Sequence, residues 1–277
     1  MPELPEVEVG RLIARRVAVG RVIRSVRCAD DPIVFDGLTR TKVQRLLRGR
    51  RVQAVQRHGK HLWFELDRRP WPLFHFGMTG GFHTTRRAGA KLVSSGDATP
   101  TWPPRFVKLH LTFEDGGELV LADARRLGRV RFRHDPPHEP PIALLGFDAF
   151  RDIPSLPRFR AIVRARAAPL KALLLDQSFA AGVGNWIADE VLYQARLDPR
   201  RRANSLNPAE AARLRARLRS VVALSVRVQS DSDRYPRTWL FHDRWGKRAD
   251  GMTARGERIH YLTLGGRTTA WVPVVQK

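Results

Sequence analysis

The sequence predicts an α+β protein of more than one domain: an antiparallel β-sandwich that follows an N-terminal helix, a helical domain, and a small C-terminal β-hairpin. Three observations support this prediction. The chain has 277 residues, which is about the upper limit for a single hydrophobic core. Its apolar residues follow strand periodicity in the first half, helical periodicity in the second, and strand periodicity again near the C-terminus. A proline-rich segment at residues 135–141 separates the two halves.

The first half begins with a helix and continues as strands. Pro5 suits a first helical turn, and apolar residues then recur at helical spacing until Gly20. Short β-branched and aromatic runs over residues 21–83 predict antiparallel strands. Residues 84–105 are rich in Gly, Ser, Thr, Pro and Arg, and predict a long, mobile loop. Further strands after it bring the total to about eight, as in a sandwich or barrel.

The second half is predicted to be helical and then to end in the hairpin. Four prolines lie within residues 135–141, and proline fits neither a paired strand nor a helix interior, so this segment is interpreted as a linker. The predicted domain ranges are 1–135 for the sandwich, 136–146 for the linker, 147–229 for the helical domain and 230–277 for the hairpin. Helices are predicted at 156–167, 169–175, 185–195 and 207–228. The last of these opens on Asn207-Pro208-Ala209-Glu210, a capping pattern.

Composition predicts a polyanionic partner. The chain has 50 Lys and Arg against 27 Asp and Glu, a net charge of +23. This charge is spread along the whole length, which favours a folded nucleic-acid-binding protein over an acidic membrane surface as the target. The single cysteine, Cys28, excludes an intramolecular disulfide and a multi-cysteine metal site, and is expected to be a buried thiol. Because no long apolar run or signal peptide is present, we expect a soluble, intracellular protein.

The first residues offer a possible nucleophile. Removal of Met1 would leave Pro2 with a terminal secondary amine, and such an amine is partly unprotonated at neutral pH. Glu3 lies beside it as a possible proton donor or acceptor, and Glu6 and Glu8 follow. The structural alternative is an ordinary helix start, because Pro and acidic residues are common there.

Several turns carry residues suited to phosphate groups. Gly182-Val183-Gly184-Asn185 opens onto a helix, where backbone amides and the side chain of Asn185 would reach a phosphate. Its alternative is a plain turn with Asn185 as a helix cap. The Gly-Gly turn before Arg267 places one guanidinium at a hairpin tip, although a solvated turn would look the same. Lys60 and His75 are further candidates, with a surface charge and a structural histidine as their alternatives.

One turn between strands has the composition of a wedge. The segment Asp123-Ala124-Arg125-Arg126-Leu127-Gly128 presents Arg125 and an apolar side chain, Leu127, at its tip. Proteins that kink DNA insert such apolar side chains between bases. A charged, solvated turn is the alternative.

The order of these motifs resembles the formamidopyrimidine-DNA glycosylase and endonuclease VIII family over essentially the whole chain. The motifs that carry the resemblance are Pro2-Glu3-Leu4-Pro5-Glu6-Val7-Glu8, Gly182-Val183-Gly184-Asn185 and Gly265-Gly266-Arg267-Thr268-Thr269. The resemblance implies an N-terminal β-sandwich, a helix-two-turns-helix domain and a C-terminal β-hairpin finger. It also implies that DNA is bound in a cleft between the two halves.

The resemblance assigns roles to individual residues. Pro2 matches the Schiff-base nucleophile, Glu3 the proton-transfer acid, and Glu6 an additional acid, and we group Lys60 with these catalytic residues. Residues that match the phosphate-binding positions are Lys60, His75, Asn185 and Arg267. Residues that match the set filling the hole left by an extruded nucleotide are Met78, Arg125 and Leu127.

Two departures from the family pattern affect these expectations. Zinc-containing members end in Cys-x-x-Cys-Gln, whereas this chain has Val272-Pro273-Val274-Val275-Gln276, so no metal or other cofactor is expected. The finger would be held by its own packing, as in the zincless plant and fungal formamidopyrimidine-DNA glycosylases, which the sequence resembles most. Leu127 replaces a common Phe, and the segment 229–237 is short where relatives carry a loop over the extruded base. Ring-opened purines and hydantoins are therefore the expected lesions, ahead of 8-oxoguanine.

The sequence thus predicts a bifunctional DNA glycosylase and abasic-site lyase that acts as a monomer on damaged double-stranded DNA. No membrane partner is expected. It would work in the cytoplasm or nucleoid of a bacterium, or in a eukaryotic nucleus. Two alternatives stay open: a non-catalytic damage-binding protein on the same fold, and a metal-dependent endonuclease, for which the sequence offers no clustered ligands.

Overall fold

The computed structural model describes residues 2–85 and 101–277 and confirms the α+β architecture. The chain divides into two compact units, one ending at Leu144 and the other beginning at Leu145. Of the loop predicted for residues 84–105, residues 86–100 lie outside the described part. Within the described residues, no helix has the length and apolar character needed to cross a membrane.

The predicted N-terminal helix, α1, spans Leu4–Ala18. Pro5 lies in its first turn, as expected, and the chain leaves the helix through Gly20, whose φ of +84° suits glycine. Gly10 permits close packing on the sandwich, because a Cβ atom there would lie 2.6 Å from the ring of Phe76. The helix therefore packs its apolar face closely on the strands.

Eight strands form two antiparallel four-stranded sheets that face each other, which confirms the sandwich. One sheet has the order β2-β3-β4-β8 and the other β1-β6-β7-β5. The strands are β1 Ile23–Cys28, β2 Val52–His58, β3 His61–Leu66, β4 Trp71–His75, β5 Gly81–His83, β6 Val107–Phe113, β7 Glu118–Ala122 and β8 Arg129–Arg133. Apolar side chains from both sheets share one core. Cys28 belongs to it, and burial raises the pKa of its thiol, as expected for an inert cysteine.

Two details of the first unit differ from the prediction. A short helix, α2 at Arg40–Leu47, lies within residues 21–83, for which the sequence predicted only strands and turns. It buries only Val43 and Leu47 along its length, which is too little periodicity to recognise from sequence. The prolines of residues 135–141 do not exclude every helical turn, because Pro136–His138 forms one 3₁₀ turn. Proline is tolerated there, at the start of a turn.

The second unit contains the four predicted helices. They are α3 Leu156–Arg164, α4 Leu170–Leu175, α5 Asn185–Ala195 and α6 Pro208–Arg227. The capping pattern at the start of α6 is confirmed, since the Asn207 side chain accepts a hydrogen bond from Glu210 N and the Glu210 carboxylate accepts one from Asn207 N, both at 2.9 Å. Two short strands, β9 Phe147–Asp148 and β10 Ala180–Ala181, pair in parallel beside the helices.

The predicted C-terminal hairpin is present as β11 His260–Leu264 and β12 Arg267–Trp271. Its two-residue turn, Gly265-Gly266, has φ angles of +56° and +69°, which glycine adopts without strain. A small apolar cluster buries one side of the hairpin, formed by Tyr193, Leu240, Ile259, Ala270 and Val272.

Candidate nucleic-acid interface

The residues at the start of α1 are buried and fixed by hydrogen bonds. Pro2 is buried, and Glu3 and Glu6 are only 2% and 9% exposed. The backbone N–H of Glu3 donates to Glu6 Oε2 at 2.9 Å, and the carbonyl of Glu3 accepts from Val7 N at 3.0 Å. The side chain of Glu6 thus closes the first turn of the helix and holds the residue next to Pro2. The predicted group of Pro2, Glu3 and Glu6 is therefore one local cluster.

A buried ion pair connects α1 to the turn that carries Lys60. Glu8 Oε2 accepts a hydrogen bond of 2.8 Å from Arg57 Nε, and Arg57 Nη1 donates to the carbonyl of Gly59 at 2.9 Å. Burial opposes the charge of Glu8, but the hydrogen bond from Arg11 and the charge of Arg57 hold its pKa below the ordinary value. Arg57 is 1% exposed. The sequence analysis gave Arg57 no role. Its charge at an inward-facing position of strand β2 could have indicated a buried ion pair.

His75 is prepared to donate a hydrogen bond to an anion. Its Nδ1 accepts from the backbone N–H of Gly77 at 3.1 Å, so the neutral ring carries its proton on Nε2. Burial, and then the nearby charge of Lys60, lower the pKa of His75 to about 4. The ring of His61 lies beside it, 4.8 Å between centroids, and burial together with His75 lowers the pKa of His61 to about 3. The structure therefore brings Lys60 and His75 together and adds His61, which the sequence had not singled out.

The three residues predicted to fill a DNA void lie on two turns that pack against each other. Met78 is half-buried, whereas Arg125 is exposed and Leu127 is 42% exposed. Gly77 permits the contact between the turns, because a Cβ atom on it would lie 2.4 Å from the carbonyl carbon of Leu127. The close approach of the two backbones places Met78 and Leu127 on one local surface.

Two buried carboxylates hold the second turn in place. Asp123 accepts hydrogen bonds from Thr79 Oγ1 at 2.8 Å and from Gly128 N at 2.7 Å. Asp31 accepts two hydrogen bonds from the guanidinium of Arg126, at 2.9 and 3.1 Å. The backbone of Arg126 is left-handed, with a φ of +56°. Burial opposes the charge of Asp31, but these bonds lower its pKa well below the usual range. Sequence reasoning noted the turn but assigned no role to Asp31, Thr79 or Asp123.

In the second unit, Asn185 and Arg267 are connected through the hairpin. The cap of α5 is Gly184, so the alternative of Asn185 as a plain helix cap is wrong. Asn185 Nδ2 instead donates to the carbonyl of Thr268 at 2.9 Å. Arg267 is exposed and directly follows the two-glycine turn. Since an amide nitrogen has two hydrogens, Asn185 keeps a second donor beside the one bonded to Thr268.

The structure thus arranges the predicted residues in four local groups, and each group lies within one unit. They are the N-terminal group, the group of Lys60 and His75, the two packed turns, and the group of Asn185 and Arg267. Across residues 2–85 and 101–277, no three or more His, Cys, Asp or Glu side chains cluster in a way that would hold a metal ion. Acidic and basic side chains of these groups can supply proton transfer and anion binding.

Comparisons with known proteins agree with the sequence resemblance. The family model described as the formamidopyrimidine-DNA glycosylase N-terminal domain matches residues 1–130, and the one described as the H2TH domain of that enzyme matches residues 145–236. The chain is 38% identical to formamidopyrimidine-DNA glycosylase of Arabidopsis thaliana, covering 100% of this chain and 71% of the relative. It is 34% identical to the enzyme of the same name from Thermus thermophilus, covering 100% of this chain and 98% of the relative.

Solved structures share the fold. The structure of MutM in complex with DNA containing carbocyclic 8-oxo-G matches with a TM-score of 0.80 and 25% identity, over 100% of both chains. Wild-type Lactococcus lactis Fpg with DNA containing N7-benzyl-Fapy-dG matches with a TM-score of 0.79 and 25% identity, also over 100% of both chains.

Proposed function

The chain belongs to the formamidopyrimidine-DNA glycosylase family, and from this we propose that it is a bifunctional DNA glycosylase and abasic-site lyase of base-excision repair. The observation that carries the proposal is the arrangement at α1, where the Glu6 carboxylate holds the backbone of Glu3 next to the buried Pro2. A terminal proline amine beside a carboxylic acid is the minimum that Schiff-base chemistry at a sugar requires.

In the proposed reaction, Pro2 acts after Met1 has been removed. The unprotonated amine attacks C1′ of the damaged nucleoside, and Glu3 assists opening of the sugar ring as the base leaves. The iminium then acidifies the neighbouring sugar protons, so that β-elimination and δ-elimination release the phosphates on both sides of the sugar. Lys60 is proposed to belong to the catalytic residues together with Pro2 and Glu3, and Glu6 keeps Glu3 in place.

The remaining predicted residues bind and deform the DNA. Lys60, the Nε2–H of neutral His75, the second amide hydrogen of Asn185 and the exposed Arg267 are proposed to bind phosphates near the lesion. Met78, Arg125 and Leu127 are proposed to fill the space left by the extruded nucleotide, which offsets part of an unstacking cost of a few kcal/mol. The net charge of +23 supports such a polyanionic partner.

We infer ring-opened purines and hydantoins as the preferred substrates, ahead of 8-oxoguanine. The inference draws on the similarity to plant-type relatives and on Leu127 at the tip of the second turn. The protein is proposed to act as a monomer on damaged duplex DNA inside the cell, in the nucleoid region of a bacterium or the nucleus of a eukaryote. Duplexes with each lesion opposite each normal base would rank these substrates.

Reduction with borohydride tests the chemistry directly, because hydride reduces the proposed iminium to a tertiary amine and so leaves a stable protein–DNA adduct. We expect an adduct with lesion-containing DNA from the native protein, and a strongly reduced one from Pro2→Gly or from protein that retains Met1. Glu3→Gln should lose base excision. Pro5→Ala serves as the matched control, because it changes a nearby proline, in the first turn of α1, without altering the terminal amine.

The same experiment separates the rival functions. A non-catalytic damage-binding protein would bind the lesion duplex yet give no adduct with the native terminus. A metal-dependent endonuclease would lose strand cleavage on addition of a chelator, whereas cleavage through Pro2 would persist. Full activity in Glu3→Gln together with an undiminished adduct in Pro2→Gly would refute the proposed mechanism.

A further inference from the structure

Helix α5 contains a buried carboxylate that gathers charged and polar groups from three other parts of the second unit. Asp189 is 1% exposed, and its Oδ1 accepts a hydrogen bond from Nζ of Lys171 on α4. Its Oδ2 accepts from the guanidinium of Arg244 through Nε, at 3.2 Å, and through Nη2. The same oxygen accepts from the backbone N–H of Ala270 on strand β12, at 3.1 Å. One side chain therefore links α4, the segment before the hairpin and the hairpin itself.

All three charged groups of this network are withdrawn from water. Lys171 is 0% and Arg244 is 7% exposed. A buried ion is tolerated when its hydrogen-bonding capacity is satisfied, and removal of one partner of such a pair is strongly unfavourable. Because these bonds are directional, whereas apolar contacts are not, the network can fix an orientation as well as stabilise the unit.

Strand β12 is attached to α5 at two points by residues four positions apart. Asp189 binds the N–H of Ala270, and Asn185 Nδ2 binds the carbonyl of Thr268 at 2.9 Å. Residues at this spacing lie on the same face of a helix. Lys171 Nζ also donates to the carbonyl of Asn185 at 2.8 Å, so one lysine contacts both attachment points. Arg267 is the residue adjacent to Thr268 in the strand.

The hairpin is supported by apolar packing as well as by these hydrogen bonds, and near its turn Gly265 lies close to Ala172 and Leu175 of α4. A two-stranded hairpin is marginally stable alone, and the buried cluster that supports this one has five members, of which only Ala270 lies within its strands. The position of Arg267 at the end of such a short ribbon depends on the angle at which the ribbon leaves α5.

We propose that Asp189, with Lys171 and Arg244, is the positioning centre that fixes the hairpin against α5 and so holds Arg267 and Asn185 at one separation for binding DNA phosphates. These three are positioning residues, since none of them is assigned to substrate. The phosphate-binding part of the inference rests on the proposed function, whereas the attachment of β12 to α5 rests on the contacts alone.

Arg244→Met tests the proposal with the least disturbance, because Asp189 keeps Lys171 and the N–H of Ala270. The matched control is Arg258→Met, which removes a charge from the same segment. Arg258 is exposed, and within the described residues its side chain donates a hydrogen bond only to the carbonyl of Ala249. The readout is the Kd for a duplex with a stable abasic-site analogue, measured by fluorescence anisotropy. We expect Arg244→Met to weaken binding by roughly tenfold or more and Arg258→Met to change it by less than about twofold.

A double-mutant cycle distinguishes positioning from general stabilisation. Arg267→Ala removes the guanidinium that the network is proposed to position. In that background, Arg244→Met should therefore cause little further loss of DNA affinity. If the two losses multiply in full, if Arg244→Met leaves Kd unchanged, or if Arg267→Ala has no effect on binding, the proposal is overturned. Arg244→Lys keeps the charge and is expected to restore part of the affinity, and it replaces Arg244→Met in the cycle if the latter does not fold.

The outcome is independent of catalysis. Binding to the abasic-site analogue requires no covalent step. If the native protein gave no borohydride adduct, the proposed enzymatic function would be refuted, but the double-mutant cycle would still test the positioning centre. Conversely, adduct formation by the native protein together with fully multiplicative losses of affinity in the cycle would support the enzymatic function and refute the positioning centre.

Discussion

The hydroxyl of Thr79 donates a hydrogen bond of 2.8 Å to Oδ1 of Asp123, and this bond joins the turn that carries Met78 to the turn that carries Arg125 and Leu127. Asp123 is 1% exposed and also accepts from the N–H groups of Arg125 and Gly128. The surface proposed to enter the DNA is therefore assembled before DNA binds. Its preorganisation avoids an ordering cost during extrusion of the base.

Thr79→Val should slow extrusion because it removes the bond that the hydroxyl donates to Asp123 and the weaker one, at 3.3 Å, that it accepts from Arg125 N, while keeping the size of the side chain. We expect single-turnover excision of a base-paired lesion to fall by roughly tenfold, corresponding to the loss of one hydrogen bond to a charged group. Cleavage of an abasic site that lacks an opposite nucleotide should change little, since there is no paired base to extrude. Thr41→Val, on the exposed face of α2, is the control. Equal losses on both substrates would contradict this role.

Gly77→Ala should destabilise the first unit through a steric clash. Its φ is +62°, and the added Cβ would lie 2.4 Å from Leu127 C and 2.5 Å from Gly128 N. The left-handed conformation by itself costs about 1 kcal/mol or slightly more, and the clash adds to it. Gly49→Ala isolates the conformational part, because its φ is +75° and nothing lies within 4 Å of the new atom. Urea denaturation should give a lower free energy of unfolding for Gly77→Ala than for Gly49→Ala, and identical values would refute the close approach.

Glu190→Gln should remove a pH dependence of stability. Burial raises the pKa of Glu190 from its ordinary value of 4.5 to about 7, while its oxygens accept from Gln194 and from the N–H of Phe241. The folded protein thus binds this proton more tightly than the unfolded chain between pH 4.5 and about 7, so the free energy of unfolding falls as pH rises through that window. The total effect is ~3 kcal/mol.

Thermal unfolding of Glu190→Gln across pH 5 to 8 checks this expectation, because glutamine cannot ionise and still accepts from Phe241. The variant should gain stability relative to the native protein as pH rises. Asp67→Asn, at an exposed position, is the control for a general change in net charge. A difference between native and Glu190→Gln that does not vary with pH would contradict the assignment.

Arg267→Gln should reduce the salt dependence of DNA binding. If Arg267 neutralises one phosphate, the slope of log K against log salt concentration becomes less negative by about 0.9. DNA-binding titrations between about 50 and 200 mM salt would measure this slope, because affinities of such proteins change by orders of magnitude over that range. Arg258→Gln removes an equal charge from the same hairpin region and should leave the slope unchanged. An unchanged slope for Arg267→Gln would exclude a direct phosphate contact.

Much of the fold follows from local patterns. The start of α1 at Pro5, the capping box at Asn207 and Glu210, and the Gly-Gly turn before Arg267 are encoded in adjacent residues, and the structure has each of them. Helix α2 was not predicted, because its two buried residues form too short a stripe. It packs against β1, and its start is capped by Thr39, whose side chain accepts a hydrogen bond from Lys42 N at 3.3 Å.

The sequence by itself determined the groups from which the chemistry is proposed: a proline and three glutamates at the start, an excess of positive charge, the turn with Arg125 and Leu127, and a hairpin with Arg267. Short-range spacing and residue type are enough for such inferences. Only the tertiary structure decided which polar residues hold these groups in place. Arg57, Thr79 and Asp123 act on partners 44 to 49 positions away in the chain, and Asp189 contacts a strand 81 positions away. Contacts of that range arise from packing, so no local pattern reveals them.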